Sequence, residues 1–204
     1  IHFMRGTPYI YQGEEIGMLN AHYPSIGQYR DVESLNYYQI LLDQGKTEKE
    51  ALETLAARSR DNSRTPMQWN GERYGGFSEA APWLSMSARF RKEITVEAQQ
   101  KDKDSILAFY KKLIAMRKTY PVIAEGGISF LETGTDMVLA YQRILGEQQL
   151  VVLCNLDGKR QTIKTSGQWK DFKVLLENYE GREMVLEEGT FTMEPYGFMV
   201  LISK

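Results

Sequence analysis

The residue types best suited to chemistry lie in residues 60–69, which read RDNSRTPMQW. The guanidinium of Arg60 offers a rigid fork of N–H donors that can grip a carboxylate or the hydroxyls of a sugar. Asp61 can orient that fork, and Asn62 supplies both a donor and an acceptor. Trp69 can pack on the apolar face of a sugar ring or can anchor the loop. Composition alone favours a structural role for this segment over a binding role.

The short apolar run of residues 9–11 predicts a strand, and two adjacent carboxylates, Glu14 and Glu15, follow it after a turn at Gly13. A pair of carboxylates about 5 Å apart is the requirement for retaining glycoside hydrolysis. Adjacent residues that leave a strand point in different directions, however. We therefore expect both glutamates to be structural.

Histidine and cysteine give little support to metal or nucleophile chemistry. His2 and His22 have no partner at metal-ligand spacing, and the sequence has no CxxC, GxxxxGK or GxSxG motif. Zinc, nucleotide and serine-hydrolase interpretations are therefore disfavoured, and we expect no cofactor. Cys154, the single cysteine, lies in an apolar run and is expected to be a small buried hydrophobe. One cysteine fits a reducing cytoplasm.

The composition indicates a folded chain and disfavours a nucleic-acid or membrane-surface partner. Of the 204 residues, 42% are hydrophobic and 11% aromatic, which is enough to build a core. The formal net charge is −2, and no basic block is present, so we expect neither a nucleic-acid nor a membrane-surface partner. No apolar run approaches the roughly 20 residues that span a bilayer.

Three helices are predicted in the first two-thirds of the chain. The first begins at Asp31 or Ser34 and ends near Asp43, and the second begins at the capping box of residues 47–50 and ends near residue 58. The third covers residues 105–120 and ends at a proline. Residues 61–101 show no sustained period and are predicted to be a long loop, kept ordered by its aromatic residues.

The last third of the chain is predicted to form an antiparallel β-sandwich. Short apolar segments alternate there with turn residues, and this pattern is typical of a sandwich or barrel. The predicted strands are 128–131, 137–143, 150–155, 161–164, 173–176, 190–193 and 198–202, and the turns between them include Gly167 and Gly181. We place the domain boundary between residues 1–121 and residues 122–204.

Residues 6–18 (GTPYIYQGEEIGM) resemble the last barrel strand of the α-amylase family, in its α-glucosidase branch. The resemblance implies an α+β fold: the last strand and helices of a (β/α)₈ barrel, followed by an antiparallel β-sandwich domain. It implies a retaining exo-α-glucosidase. In that family the nucleophile and the general acid precede this strand. The chain is therefore expected to be the last third of an enzyme, with no catalytic residue of its own.

The same resemblance assigns binding roles to four residues. Residues 60–69 match the family segment whose first arginine binds the sugar at the non-reducing end, and that role falls to Arg60. Asp61 and Arg64 would support it. In residues 29–36 (YRDVESLN), Glu33 matches a glutamate that contacts the leaving-group sugar. Compensation of a helix dipole is an equally weighted explanation for Glu33.

The expected ligand is a small α-glucoside, and the expected partner is the missing N-terminal portion of the barrel. The sequence of residues 29–36 and 59–69 is most similar to that of the trehalose-6-phosphate hydrolases, since oligo-1,6-glucosidases tend to have Ala in place of Ser63. An oligo-1,6-glucosidase or dextran glucosidase is the alternative. A non-catalytic relative of the barrel and an autonomous carbohydrate-binding module are further alternatives.

Overall fold

The computed structural model describes residues 1–164, 169, 171–179 and 189–203. The chain divides into two compact units, one made of Tyr9–Lys112 and the other of Ile1–Pro8 together with Leu113–Lys204. The predicted turns at Gly167 and Gly181 lie outside the described residues.

The first two helices of the Tyr9–Lys112 unit begin where the sequence predicts. Helix α1 is Val32–Asp43, and its N-cap Asp31 accepts a hydrogen bond from the Ser34 amide. Helix α2 is Glu48–Arg58, and Thr47 and Glu50 form both halves of the capping box. These helices pack on a core of aromatic and aliphatic side chains: Ala21, Tyr23, Tyr29, Tyr38, Leu41, Ala51, Leu55 and Leu84.

Residues 61–101 are mostly irregular, as predicted, but they contain elements that the sequence analysis missed. These are 3₁₀ turns at Arg60–Ser63 and Arg73–Gly76 and the short helix α3, Val96–Gln100. The side chains of Trp69, Phe77 and Trp83 are at least half exposed. Main-chain hydrogen bonds supply the order instead, since the amides of Trp69 and Asn70 both donate to the carbonyl of Gly75.

The strand predicted at residues 9–11 is not formed in this chain. Tyr9, Ile10 and Tyr11 belong to no strand, and their side chains are 88%, 37% and 57% exposed. A strand is stable only when a neighbour accepts and donates its main-chain hydrogen bonds, and no described segment pairs with these residues. The apolar, β-favouring side chains are therefore not sufficient by themselves to form a strand. Two further 3₁₀ turns follow, Glu14–Ile16 and Ile26–Gln28.

Helix α4, Ile106–Thr119, confirms the helix predicted over residues 105–120. The proline that ends it also begins helix α5, Pro121–Glu125, in the N1 position where its missing N–H costs nothing. The sequence analysis used Pro121 only as a stop signal and did not foresee α5.

The β domain confirms the predicted sandwich. The strands are β1 Gly127–Phe130, β2 Val138–Leu145, β3 Gln148–Asn155, β4 Gln161–Lys164, β5 Lys173–Glu177, β6 Thr190–Met193 and β7 Phe198–Ile202. They form a five-stranded antiparallel sheet in the order β1-β2-β3-β7-β5 and a two-stranded sheet of β4 and β6. The core includes residues from both sheets, among them Val151, Leu201 and Ile163. Trp169 is buried in this core, and Cys154 is half-buried.

Candidate functional site

Arg60 and Glu33, which are 27 positions apart, form an ion pair on the surface of the Tyr9–Lys112 unit. Arg60 lies in the 3₁₀ turn after α2, and Glu33 lies in the first turn of α1. Their side chains are 57% and 74% exposed, so both remain accessible to a ligand. The structure thus brings together the two residues to which the sequence analysis assigned sugar binding.

Asp31 joins the two arginines of the site. Its Oδ1 atom lies 3.3 Å from Nε of Arg60 and 3.5 Å from an Nη atom of Arg64. The side chain is 7% exposed, whereas both guanidinium groups reach solvent. The sequence analysis recognised Asp31 only as a helix cap. The carboxylate and arginine spacing in residues 29–36 and 60–69 could have suggested the ion pairs, but not which acid makes them.

Several interactions determine the charge of Asp31. Burial by itself would raise the pKa of this carboxyl group, but hydrogen bonds from the Ser34 hydroxyl and amide oppose that effect. The positive charges of Arg60 and Arg64 add to them, and the pKa of Asp31 is held below its ordinary value. Asp31 is therefore a carboxylate at neutral pH.

Asp61 supports the site by holding the main chain of the neighbouring loop. Its side chain is completely buried, and its Oδ2 atom accepts hydrogen bonds from the amides of Arg30 at 2.7 Å and Asp31 at 3.0 Å. Its other oxygen lies 3.9 Å from Arg64. The sequence analysis expected Asp61 to orient the guanidinium of Arg60. In the structure it acts through the position of Asp31.

Two serine hydroxyls complete the connection between the loops. The Oγ atoms of Ser34 and Ser59 lie 2.8 Å apart. Ser34 also donates to Asp31 at 2.9 Å, and Ser59 accepts from the amide of Asp61 at 3.1 Å. The helix cap and the arginine turn are therefore connected by a closed set of short hydrogen bonds that contains both buried aspartates.

Glu14 and Glu15 make protein contacts, in agreement with the structural role predicted for them. Glu14 accepts from the Tyr110 hydroxyl at 2.5 Å and from the Tyr11 amide at 3.2 Å. Glu15 accepts from the Gly13 amide at 2.8 Å. Burial and the bond to Glu14 raise the pKa of Tyr110. The Tyr11 hydroxyl donates to the carbonyl of Ser63 at 3.0 Å, so residues 9–15 contact the arginine turn.

Over the described residues, no group of three or more His, Cys, Asp or Glu side chains is arranged to hold a metal ion. Nor does that part of the chain contain a helix long and apolar enough to cross a membrane. The arrangement as a whole presents exposed guanidinium and carboxylate groups on buried supports. A guanidinium can donate a hydrogen bond to a hydroxyl group, and a carboxylate can accept one from it.

Family models identify the class of protein to which the helical unit and the antiparallel sandwich belong. The family model described as the α-amylase catalytic domain matches residues 1–126, and the model of the α-amylase SusG C-terminal domain matches residues 138–200. The chain therefore belongs to the α-amylase family, as the resemblance of residues 6–18 implied.

Its relatives include enzymes of two substrate specificities. The trehalose-6-phosphate hydrolase of Bacillus subtilis is 40% identical over 98% of this chain, and an oligo-1,6-glucosidase of Halalkalibacterium halodurans is 37% identical over 100% of it. The crystal structure of Bacillus licheniformis trehalose-6-phosphate hydrolase superposes on all of the chain with a TM-score of 0.89 and 41% identity. The chain covers 36% of each curated relative and 37% of that crystallised chain.

Proposed function

We propose that the chain is the C-terminal part of a retaining exo-α-glucosidase that hydrolyses small α-glucosides. The observation that carries the proposal is the joint placement of Arg60, Glu33 and Asp31 in an accessible site on a chain of this family. In the whole enzyme, an upstream aspartate would attack the anomeric carbon, and an upstream glutamate would protonate the leaving oxygen. Water would then hydrolyse the covalent glucosyl-enzyme.

The residues of this chain would bind the sugar rather than break the bond. Arg60 would donate to a hydroxyl that only the non-reducing end of a saccharide presents, and this requirement is a physical source of exo-specificity. Glu33 would accept from the leaving-group sugar. Because these two residues pair with each other, sugar hydroxyls would replace part of their ion pair. Asp31, Asp61 and Arg64 would hold the arginine in place.

The favoured substrate is trehalose-6-phosphate, with glucose and glucose-6-phosphate as products. Support comes from Ser63 and from the trehalose-6-phosphate hydrolases among the relatives, at 40% and 41% identity. The alternative is an oligo-1,6-glucosidase acting on isomalto-oligosaccharides, since relatives with that name are 35% to 39% identical.

Three features of organisation belong to the same proposal. The catalytic portion extends to about residue 121, and residues 122–204 form the β domain. The 204-residue chain by itself would be inactive, because the family resemblance implies that the nucleophile and the general acid precede residues 6–18. The enzyme acts in the cytoplasm, which fits a chain with the single cysteine Cys154.

The test is glucose release from trehalose-6-phosphate and from isomaltose by the whole protein, with Arg60→Ala beside it. One charge-assisted hydrogen bond is worth about 1.5–3 kcal/mol, so the variant should lose roughly ten- to a hundredfold in kcat/KM. Arg58→Ala, which removes an exposed arginine at the end of α2, is the matched control. An Arg60→Ala enzyme as active as the control would refute the assignment. Glucose release by the 204-residue chain alone would refute the absence of catalytic residues.

A further inference from the structure

Arg143, in strand β2, is a completely buried arginine whose hydrogen bonds all go to main-chain carbonyls within the described residues. Nε donates to Gly127 at 3.1 Å, one Nη donates to Phe3 at 2.6 Å and Ile123 at 2.7 Å, and the other Nη donates to Gly126 at 2.6 Å. No described carboxylate pairs with it. Among the described residues, peptide dipoles therefore compensate the charge.

The end of helix α5 supplies two of these acceptors. The last carbonyls of a helix lack intrahelical partners and carry the negative end of its dipole, and Ile123 and Gly126 lie at that end. The glycine is required by space, because a Cβ atom at position 126 would lie 2.5 Å from the carbonyl oxygen of Val122. The remaining long-range acceptor, Phe3, belongs to the first residues of the chain.

Arg117, in helix α4, binds the same first residues from a second side. One Nη atom donates to the carbonyls of His2 at 3.0 Å and Met4 at 3.2 Å, and it lies 3.4 Å from that of Ile123. The other Nη atom donates to the carbonyl of Gly6. The two arginines therefore share Ile123 and together bind the carbonyls of residues 2, 3, 4 and 6.

Because Arg143 is buried, its guanidinium needs the main-chain carbonyls that accept its hydrogen bonds. Burial lowers the pKa of this guanidinium, and the charge of Arg117 acts in the same direction, yet an arginine stays protonated in a protein. Removing the acceptors of a buried charge is strongly destabilising. The carbonyls of Phe3, Ile123 and Gly126 are thus requirements of the buried charge, rather than incidental contacts.

We propose that Arg117 and Arg143 are positioning residues that form a carbonyl clamp on residues 2–6. The clamp fixes the main chain that leads into residues 6–18, the segment with the family resemblance. It ends at Gly6, whose φ of +107° redirects the chain and favours glycine at that position. Because the arginines bind carbonyls, the clamp depends on the backbone of residues 2–6 and not on their side chains.

Trypsin cleavage after Arg5, in the middle of the clamped segment, gives a local readout in the 204-residue chain. Arg117→Lys keeps the positive charge and leaves a trypsin site at position 117, but it loses the fork of N–H donors. We expect it to release the pentapeptide 1–5 about tenfold faster or more, since cleavage follows the population of the open segment. Arg160→Lys, in the same unit but bonded to a side chain, is the matched control and should cleave after Arg5 at the rate of the unaltered chain.

Two results would overturn the clamp. One is release of the pentapeptide by Arg117→Lys at the rate of the Arg160→Lys control. The other is an equal acceleration of cleavage at every site, because a local clamp opens only its own segment.

A double-mutant cycle tests the clamp by a second measurement that does not depend on the access of trypsin. The partner change is deletion of residues 1–6, which removes the acceptors of Arg117 other than Ile123. We expect Arg117→Lys to change the unfolding equilibrium constant at least tenfold in the 204-residue chain and less than about threefold in the shortened chain. Equal effects in the two backgrounds, measured by urea unfolding, would show that Arg117 does not act through residues 2–6.

Discussion

The Oδ2 atom of Asp61 accepts the amide hydrogen of Asp31 at 3.0 Å, and this contact helps to hold the arginine turn against the start of helix α1. Asp61 is inaccessible to solvent, whereas the groups that could meet a ligand, on Arg60 and Glu33, are exposed. The site is thus organised in two levels. Buried carboxylates fix the backbone, and the fixed backbone presents the exposed charges.

Replacing Asp61 by Asn should destabilise the Tyr9–Lys112 unit. The amide oxygen of Asn can still accept a hydrogen bond, but the negative charge that strengthens the bonds from Arg30 and Asp31 is lost. We expect a loss of about 1–3 kcal/mol in the free energy of unfolding, measured by urea denaturation. Asp136→Asn, at an exposed turn before β2, should cost much less. Equal losses for the two variants would show that Asp61 has no special structural role.

The lowered pKa of Asp31 predicts how stability depends on pH. A carboxyl group whose pKa is lower in the folded state stabilises that state at pH values above its unfolded pKa. The contribution disappears as the pH falls through the folded value. The ordinary value is 3.8, so the contribution of Asp31 should be complete at neutral pH and lost progressively below about pH 4.

The measurement is urea unfolding of Asp31→Asn and of the unaltered chain between about pH 7 and pH 2.5. The difference in free energy between them should be largest at neutral pH and should shrink in acid. A difference that stays constant over this range would mean that the charge of Asp31 does not contribute.

The capping box of α2 gives a prediction that is independent of the proposed function. Thr47 accepts from the Glu50 amide, and Glu50 accepts from the Thr47 amide at 2.8 Å. Thr47→Ala should cost about 1 kcal/mol of stability, whereas Thr47→Ser, which retains the hydroxyl, should cost little. Thermal unfolding followed by circular dichroism distinguishes them, and equally stable Ala and Ser variants would contradict the role of the cap.

Local patterns predicted the helix starts and the strands, because capping residues, prolines and short apolar runs act over a few positions. The Thr47 box and the three strands Gln161–Lys164, Thr190–Met193 and Phe198–Ile202 have the predicted bounds. Prediction failed where an element depends on distant partners. Residues 9–11 have the composition of a strand but no described neighbour to pair with.

In the candidate site, too, local sequence predicted some residues, whereas contacts between distant segments could not be predicted. Arg60 and Glu33 could be selected by their resemblance to the family, and the structure places them together. The link through Asp31 could not be predicted, because it depends on how two loops about 30 residues apart fold against each other. The carbonyls that bind Arg143 were equally hidden, since any residue type can supply a main-chain acceptor.

Ser63→Ala tests whether the residue on which the resemblance distinguishes the two substrate classes acts on the substrate. The Ser63 hydroxyl donates to the carbonyl of Arg60 at 2.9 Å, and its own carbonyl accepts from Tyr11. The hydroxyl therefore stabilises the turn that carries Arg60. In the whole enzyme, we expect Ser63→Ala to lower kcat/KM by less than about tenfold, the value of one neutral hydrogen bond. The loss should be equal for trehalose-6-phosphate and isomaltose, because under the proposed function the turn would contact the glucose that both substrates share. A change in the ratio of the two kcat/KM values would instead show that the Ser63 hydroxyl contributes directly to specificity.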